Sequence, residues 1–210
     1  MVVDDHEAIR VGLAEYFQGT QINLVAATNN GEEAFQQLEK SELDLDVILM
    51  DVQLPETDGL ALLVKLRSGF PNLSIVLFSA FDYHVYVARA VANGAHDYVL
   101  KCDSMDDLCK TLVHVNETSQ PLPGGRLDRV KKRLADPPSP GDLPAEIQLT
   151  QREMQVLRHI AFGLSNKEIA ISLSISVETV KEHVQNVLRK FDAKDRTDAA
   201  VKAVRFGLAD

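Results

Sequence analysis

Cysteine is scarce in these 210 residues, with only Cys102 and Cys109. Two thiols cannot build a metal cluster or a disulfide framework, and they fit the reduced thiols of a cytoplasmic protein. No apolar run approaches the roughly 18 residues that span a bilayer, and the N-terminus carries no signal-peptide pattern. The expected location is the cytoplasm, with no membrane partner. Proline is sparse over most of the chain as well. Six of the eight (Pro121, Pro123, Pro137, Pro138, Pro140 and Pro144) fall between Glu117 and Glu146.

What is present suits a globular protein: 45% hydrophobic and 25% charged residues, in a length that fits one large domain or two ordinary ones. The net charge of -9 is unevenly spread. Met1 to Asn116 hold 7 basic and 18 acidic residues, whereas Ile147 to Asp210 hold 10 basic and 8 acidic. An acidic first half and a mildly basic second half predict two domains with different partners. Between them, "PGG" and "PPSPGD" favour extended, poorly packed backbone around a short helical stretch, "RLDRVKKRLA". We read residues 1–116 as one domain, 117–146 as a linker and 147–210 as a second domain.

In the first domain, apolar runs alternate with amphipathic ones. Strands are expected at Val2-Val3, Ile22 to Ala27, Val47 to Met50, Ile75 to Phe78 and Tyr98 to Leu100. Helices are expected to begin near Glu7, Glu32, Leu60, Tyr83 and Met105. Five βα units in sequence imply an α/β fold, a parallel sheet with helices on both faces. All strands of such a sheet end on one edge, where ligands bind. Those ends carry Asp4 and Asp5, then Asp51, Ser79 and Lys101.

Singly, each has an ordinary explanation. Asp4, Asp5 or Ser79 could cap a following helix, and Lys101 could be a solvated charge. Together they form a cluster. Three carboxylates repel unless neutralised, and a hard divalent cation such as Mg²⁺ suits one or two carboxylates, a backbone oxygen and water. That charge would let Asp51 act as a nucleophile towards phosphorus, with Lys101 and Ser79 holding the other phosphoryl oxygens.

The motifs "VVDDHEAIRVGL", "ILMDVQLPETDG", "IVLFSAFD" and "GAHDYVLK" resemble, in order, those of the receiver domain of bacterial two-component response regulators. The resemblance covers Met1 to about Asn116 and implies a flavodoxin-like (βα)5 fold. It implies that Asp51 is the phosphoacceptor for a sensor histidine kinase. Mg²⁺ would be held by Asp5, Asp51 and the Gln53 backbone carbonyl, with Asp4 acting through water. Ser79 and Tyr98 would be the switch pair and Lys101 a phosphoryl contact. Strand one departs from the family in having only Met1 to Val3 before the acidic pair. The bulk of Phe81, two residues past Ser79, suggests a shield for the acyl phosphate.

The second domain reads as helical throughout. "TQRE" and "SNKE" are capping boxes that open apolar-periodic runs. A tight turn around Ser174 leads to Ser176, which can cap a longer helix to about Lys190. Short helix, turn and longer helix form the DNA-reading hairpin. On the longer helix Lys181, Glu182 and Gln185 are placed to reach base edges. Ser165, Asn166, Lys167, Thr179, Arg189, Lys190 and Arg196 are candidates for phosphate contacts. "LTQRE", "GLSNKEIA", "SISVETVKEHV" and "DRTDAAV" resemble the LuxR-type helix-turn-helix, and the combination resembles the NarL/FixJ class of response regulators. In that class the last helix, here with Ala200, Val201 and Val204, contacts a second copy in a homodimer. Packing only within its own domain is the competing reading of that helix.

These readings converge on a DNA-binding transcription regulator rather than an enzyme, with double-stranded DNA and a kinase as partners. A phosphatase using an aspartyl phosphate would carry a second carboxylate where this chain has Gln53. A quorum-sensing protein would share only the second domain.

Overall fold

The computed structural model describes residues 1–40, 45–55, 58–136 and 147–208. The chain packs as two units, Met1–Asp82 with Asn93–Asp128 and Tyr83–Ala92 with Arg129–Asp210.

The first unit is built on a five-stranded sheet of β1 (Val2–Val3), β2 (Ala27–Thr28), β3 (Val47–Asp51), β4 (Ser74–Ser79) and β5 (Asp97–Leu100). All pairings are parallel and the order is β2-β1-β3-β4-β5. The apolar runs are continuous because both faces are covered. Val2, Leu49, Val76, Phe78 and Val99 point to one face, against α1 (Glu7–Phe17) and α5 (Met105–Thr118). Alternate residues Val3, Ile48, Met50, Ile75 and Leu77 point the other way and are equally buried. Each such side chain contributes about 1.5–3 kcal/mol of apolar burial. Two further helices, α2 (Gly31–Glu39) and α3 (Gly59–Gly69), pack on each other.

Local chemistry starts these helices where polar side chains can serve their free amides. Asn30 accepts from Glu33 N at α2, Asp58 from Leu60 N at α3 and Ser104 from Asp107 N at α5. Register then aligns the strand ends. Val3 lies opposite Met50 and Asp51 opposite Phe78, while Ser79 lies opposite Leu100. Asp4, Asp51, Ser79 and Lys101 therefore leave the sheet on one edge, and the order changes direction between β1 and β3, the place where such sheets bind ligands.

Three expectations need correction. The strand expected over Ile22 to Ala27 is reduced to Ala27–Thr28, because β1 offers only Val2 and Val3 as register partners. Below them the Met1 amine itself donates to Val47 O at 2.9 Å. It borders a recess of about 650 Å³ lined by Met1, Phe17, Leu24, Leu49 and Leu112 among others. Glu117 and Thr118 belong to α5 rather than to a linker. The stretch after them is packed: Asp97, buried on β5, accepts from Leu122 N at 2.7 Å, and Asp128 accepts from Gly124 N at 2.8 Å. Tyr98 on β5 is fully buried. The "PPSPGD" segment lies outside the described residues.

The second unit comprises α4 (His84–Ala92), most of α6 (Arg126–Ala135), α7 (Gln151–Ala161), α8 (Asn166–Leu173), α9 (Val177–Lys190) and α10 (Arg196–Arg205). The α6 bounds coincide with the helical stretch read from the sequence, and its Leu127, Val130 and Leu134 are buried. Both capping boxes form: Thr150 with Glu153 and Ser165 with Glu168. Ser174 turns the chain in the left-handed region at φ 53°, and Ser176 accepts from Thr179 N to start α9. Met154, Leu157, Val187, Phe191, Ala199 and Leu208 form a core joining α7, α9 and α10.

Candidate functional site

The site on the sheet edge is built around one ammonium. Lys101 follows β5, and its Nζ lies 2.7 Å from Asp51 Oδ2 and 2.7 Å from Asp4 Oδ2. The backbone holds it there, since Lys101 N donates to Ser79 O at 2.7 Å. Asp51 Oδ1 accepts from Gln53 N at 2.9 Å, which orients the carboxylate. Burial pushes the Asp51 carboxyl above the ordinary range, against the opposing pull of Lys101 and the Gln53 amide. Burial also works against the charge on Lys101, but its two carboxylate partners outweigh it and hold the ammonium above its usual value.

Asp5 and His6 complete the cluster. One ligand atom from each of Asp4, Asp5, His6 and Asp51 lies within 4.8 Å of the others. His6 Nδ1 is 2.7 Å from Asp5 Oδ1, and His6 N donates to Asp4 Oδ1 at 2.9 Å. Asp4 Oδ2 and Asp5 Oδ1 are buried without an aligned hydrogen-bond donor among the described residues. Three carboxylates against one half-buried ammonium leave an oxygen-rich, negative pocket. That donor set fits a hard divalent cation better than a thiolate- or imidazole-seeking metal.

Ser79 and Tyr98, the expected switch pair, meet at Phe81. Ser79 Oγ accepts from Phe81 N at 3.1 Å, and the Tyr98 hydroxyl donates to Phe81 O at 2.8 Å. The backbone of Phe81 is thus held by both. Its own ring is partly exposed.

Asp4, Asp5, Asp51, Ser79 and Lys101 come together on this edge, and Asp4 also touches Lys101 directly. His6 was missed. Its signal was its place immediately after the acidic pair, at the same strand end. Asp97 was missed too: it begins β5, one residue before the expected strand, and its carboxylate accepts from Tyr98 N and Leu122 N, pinning the chain beyond α5.

On the second unit, Lys181, Glu182 and Gln185 are exposed on one side of α9, while Val180 and Val187 face the core. Ser165 and Lys167 are exposed at the N-terminus of α8, where free amides favour an anion. Asn166 is half-buried there and Thr179 is half-buried in the first turn of α9, while Arg189 is exposed with Nη2 donating to Asn186 Oδ1 at 3.0 Å. Two of the candidate phosphate contacts are engaged within the fold. Lys190 Nζ donates to the buried Glu153 Oε2 at 2.7 Å. Arg196 donates to Asn166 Oδ1 at 2.8 Å and to Leu164 O. On α10 the core takes Ala199 and Ala203, Ala200 is half-buried, and Val201 and Val204 are each 45% exposed.

Known proteins match this arrangement along the chain. The model of the response regulator receiver domain matches residues 1–113, and that of the bacterial regulatory proteins of the luxR family matches residues 147–203. The transcriptional regulatory protein LnrK of Bacillus subtilis is 32% identical over 219 residues, covering 100% of this chain and 97% of the relative. The response regulator protein VraR of Staphylococcus saprophyticus is 31% identical, covering 99% and 97%. Among solved structures, RcsB from Salmonella enterica serovar Typhimurium, bound to promoter rprA with a phosphomimetic BeF3-, aligns with a TM-score of 0.54. It is 22% identical, covering 95% of this chain and 94% of that one, and the likeness is one of fold. No helix among the described residues is long and apolar enough to cross a membrane. The chain belongs to the response regulators, and it is a transcription regulator joining a receiver domain to a LuxR-type DNA-binding domain.

Proposed function

We propose that Asp51 takes a phosphoryl group from a phosphohistidine on a sensor histidine kinase in the cytoplasm. This modification would control dimerisation and sequence-specific binding to double-stranded DNA. The observation that carries the reading is the convergence of Asp4, Asp51 and Lys101, from three different strands, within 2.7 Å contacts.

In the transfer, an Asp51 oxygen bonds to phosphorus as the P–N bond breaks, and the kinase imidazole leaves with the electron pair. Asp5, Asp51 and the Gln53 carbonyl, with Asp4 beside them, would hold Mg²⁺, which supplies positive charge against the phosphoryl oxygens. Lys101 gives up its contact with Asp51 Oδ2 and meets a phosphoryl oxygen instead. Ser79, which accepts from Phe81 N, has a hydroxyl proton to offer to another. Phosphate brings about -1.5 to -2 charge and strong acceptor oxygens, so these groups are drawn inward. Because Phe81 is bonded to both Ser79 and Tyr98, the loop after β4 would move with them.

For DNA, the reading places the exposed side of α9 in a major groove, with Lys181, Glu182 and Gln185 at base edges. Glu182 would accept from a cytosine amino group. Ser165, Asn166, Lys167, Thr179 and Arg189 would meet phosphates. Lys190 and Arg196 would do so while keeping their places in the fold. Val201 and Val204 offer an apolar strip for a second copy, with Ala200 at its edge. The reaction is one transfer and one hydrolysis on the protein itself. Gln53 supplies no general acid for turnover of an outside substrate.

The test combines acid-labile phosphate labelling from acetyl phosphate and Mg²⁺ with operator binding. Labelling should be lost in Asp51→Ala, and the donor should tighten DNA binding by wild type alone. Equal labelling of both proteins would overturn the assignment.

A further inference from the structure

Arg126, the first residue of α6, joins two loops that both carry residues of the phosphoryl site. Its guanidinium forks onto Asp103, with Nη1 to Oδ2 at 2.6 Å and Nη2 to Oδ1 at 3.1 Å. Its Nε donates to Asp82 Oδ2 at 3.1 Å. Asp103 is no passive partner. Its Oδ2 also accepts from Leu100 N at 2.9 Å, closing the turn on which Lys101 sits. Asp82 directly follows Phe81, whose amide is bonded to Ser79 Oγ and whose carbonyl takes the Tyr98 hydroxyl. One side chain therefore ties the Ser79 loop to the Lys101 loop, and both to the start of the helix leading towards the DNA-binding domain.

The two arms differ in kind. The Asp103 arm is bidentate and mostly shielded, the geometry that makes an arginine–carboxylate pair strong and directional. The Asp82 arm is a single contact to a carboxylate that is 54% exposed, which water and salt weaken. Arg126 itself is anchored from behind. Leu127 is buried, Asp128 accepts from Gly124 N, and Asp97 accepts from Leu122 N. A shift of the Ser79 loop thus breaks the weak arm before the strong one.

We propose that Arg126 is a phosphorylation-sensitive latch. With Asp51 unmodified, it spans Asp82 and Asp103 and holds the start of α6 against the receiver. When Ser79 and Lys101 are drawn to a phosphoryl group, their loops shift relative to each other, the Asp82 arm opens and the start of α6 loosens. Arg126 is a positioning residue acting through Asp82 and Asp103, and the proposal rests on the phosphoacceptor reading of Asp51. It adds the route by which that site reaches the connecting helix.

Hydrogen exchange on the full chain tests it, read over residues 120–135 with and without acetyl phosphate and Mg²⁺, while Asp51 labelling is followed in the same samples. Wild type should exchange about fivefold faster in this stretch when labelled. Asp82→Asn, at an exposed position that does not threaten folding, should exchange at the faster rate without donor and change little on labelling. Arg126→Lys, which keeps the charge but cannot span both carboxylates, should behave like Asp82→Asn. Full labelling with unchanged exchange in wild type would overturn the latch and leave the phosphoacceptor intact. So would an Asp82→Asn protein that still needs the donor to loosen. Absence of labelling itself would instead remove the reading on which the latch rests.

Discussion

At the scale of single residues, Lys101 occupies the space that a cation and a phosphoryl group would contest. Its ammonium meets Asp4 Oδ2 and Asp51 Oδ2 at 2.7 Å each, in a setting where charges interact several-fold more strongly than in water. Replacing it with alanine has two opposite effects. The carboxylates lose their internal counter-charge, so Mg²⁺ affinity measured by calorimetry should rise, by about tenfold for an effect near 1.4 kcal/mol. Labelling by acetyl phosphate should fall by at least about tenfold, because the phosphoryl oxygens lose a donor. A protein in which both quantities fell together would point to a disordered pocket instead. Phe81→Ala should shorten the lifetime of the phosphorylated state a few-fold, if its bulk, two residues past Ser79 and bonded to it through the backbone, shields the acyl phosphate; an unchanged dephosphorylation rate would remove that role. Lys190 and Lys181, both candidates for DNA contact, separate by the same logic. Lys190 neutralises the buried Glu153, so Lys190→Ala should cost about 1–2 kcal/mol of stability. Lys181 is exposed beside Glu178, so Lys181→Ala should leave stability alone and weaken DNA binding with a shallower salt slope.

At the scale of elements, the close crossing of α3 under β3 shows how Asp51 is seated. Gly59 N donates to Val52 O at 3.0 Å. A Cβ at Gly59 would meet Asp51 O and, at 2.8 Å, Val52 O, both of them backbone atoms unable to step aside. Gly59→Ala should therefore cost about 1–3 kcal/mol as an overpacked contact, read as a lower urea midpoint, and should slow labelling by tilting Asp51. The helix starts, both capping boxes and the α6 bounds were legible because apolar periodicity and capping by Thr150, Ser165 and Ser176 are local in sequence. The strand expected from Ile22 was not, because a strand needs a neighbour, and nothing in Ile22 to Ala26 says that β1 pairs only through Val2 and Val3. The clustering of Asp4, Asp51 and Lys101 was legible from parallel topology alone. The contacts of Asp97 and Arg126 with distant chain were not, because no local pattern announces them.

At the scale of the whole molecule, charge and apolar surface divide the labour. The half holding the phosphoacceptor carries 18 acidic and 7 basic residues, the DNA-binding half 8 acidic and 10 basic. A surplus that small gives little non-specific hold on DNA, since affinity of that kind scales with the number of phosphates neutralised. On the proposed reading, affinity comes from pairing two reading helices on one operator, where the second binds at a high effective concentration. The surface proposed for that pairing is on α10. Its inner side is spent on Ala199 and Ala203, leaving Val201 and Val204 uncovered in this chain. A charge there is costly only if a second copy covers it. Val204→Asp should therefore leave the melting temperature within a degree or two of wild type, yet abolish the donor-induced dimer in sedimentation. It should also weaken binding to an operator with half-sites about 10 bp apart by at least about tenfold, while affinity for a single half-site stays the same. If Val204→Asp lost both equally, α10 would be serving the fold of its own domain, and the dimer would have to be sought on another face.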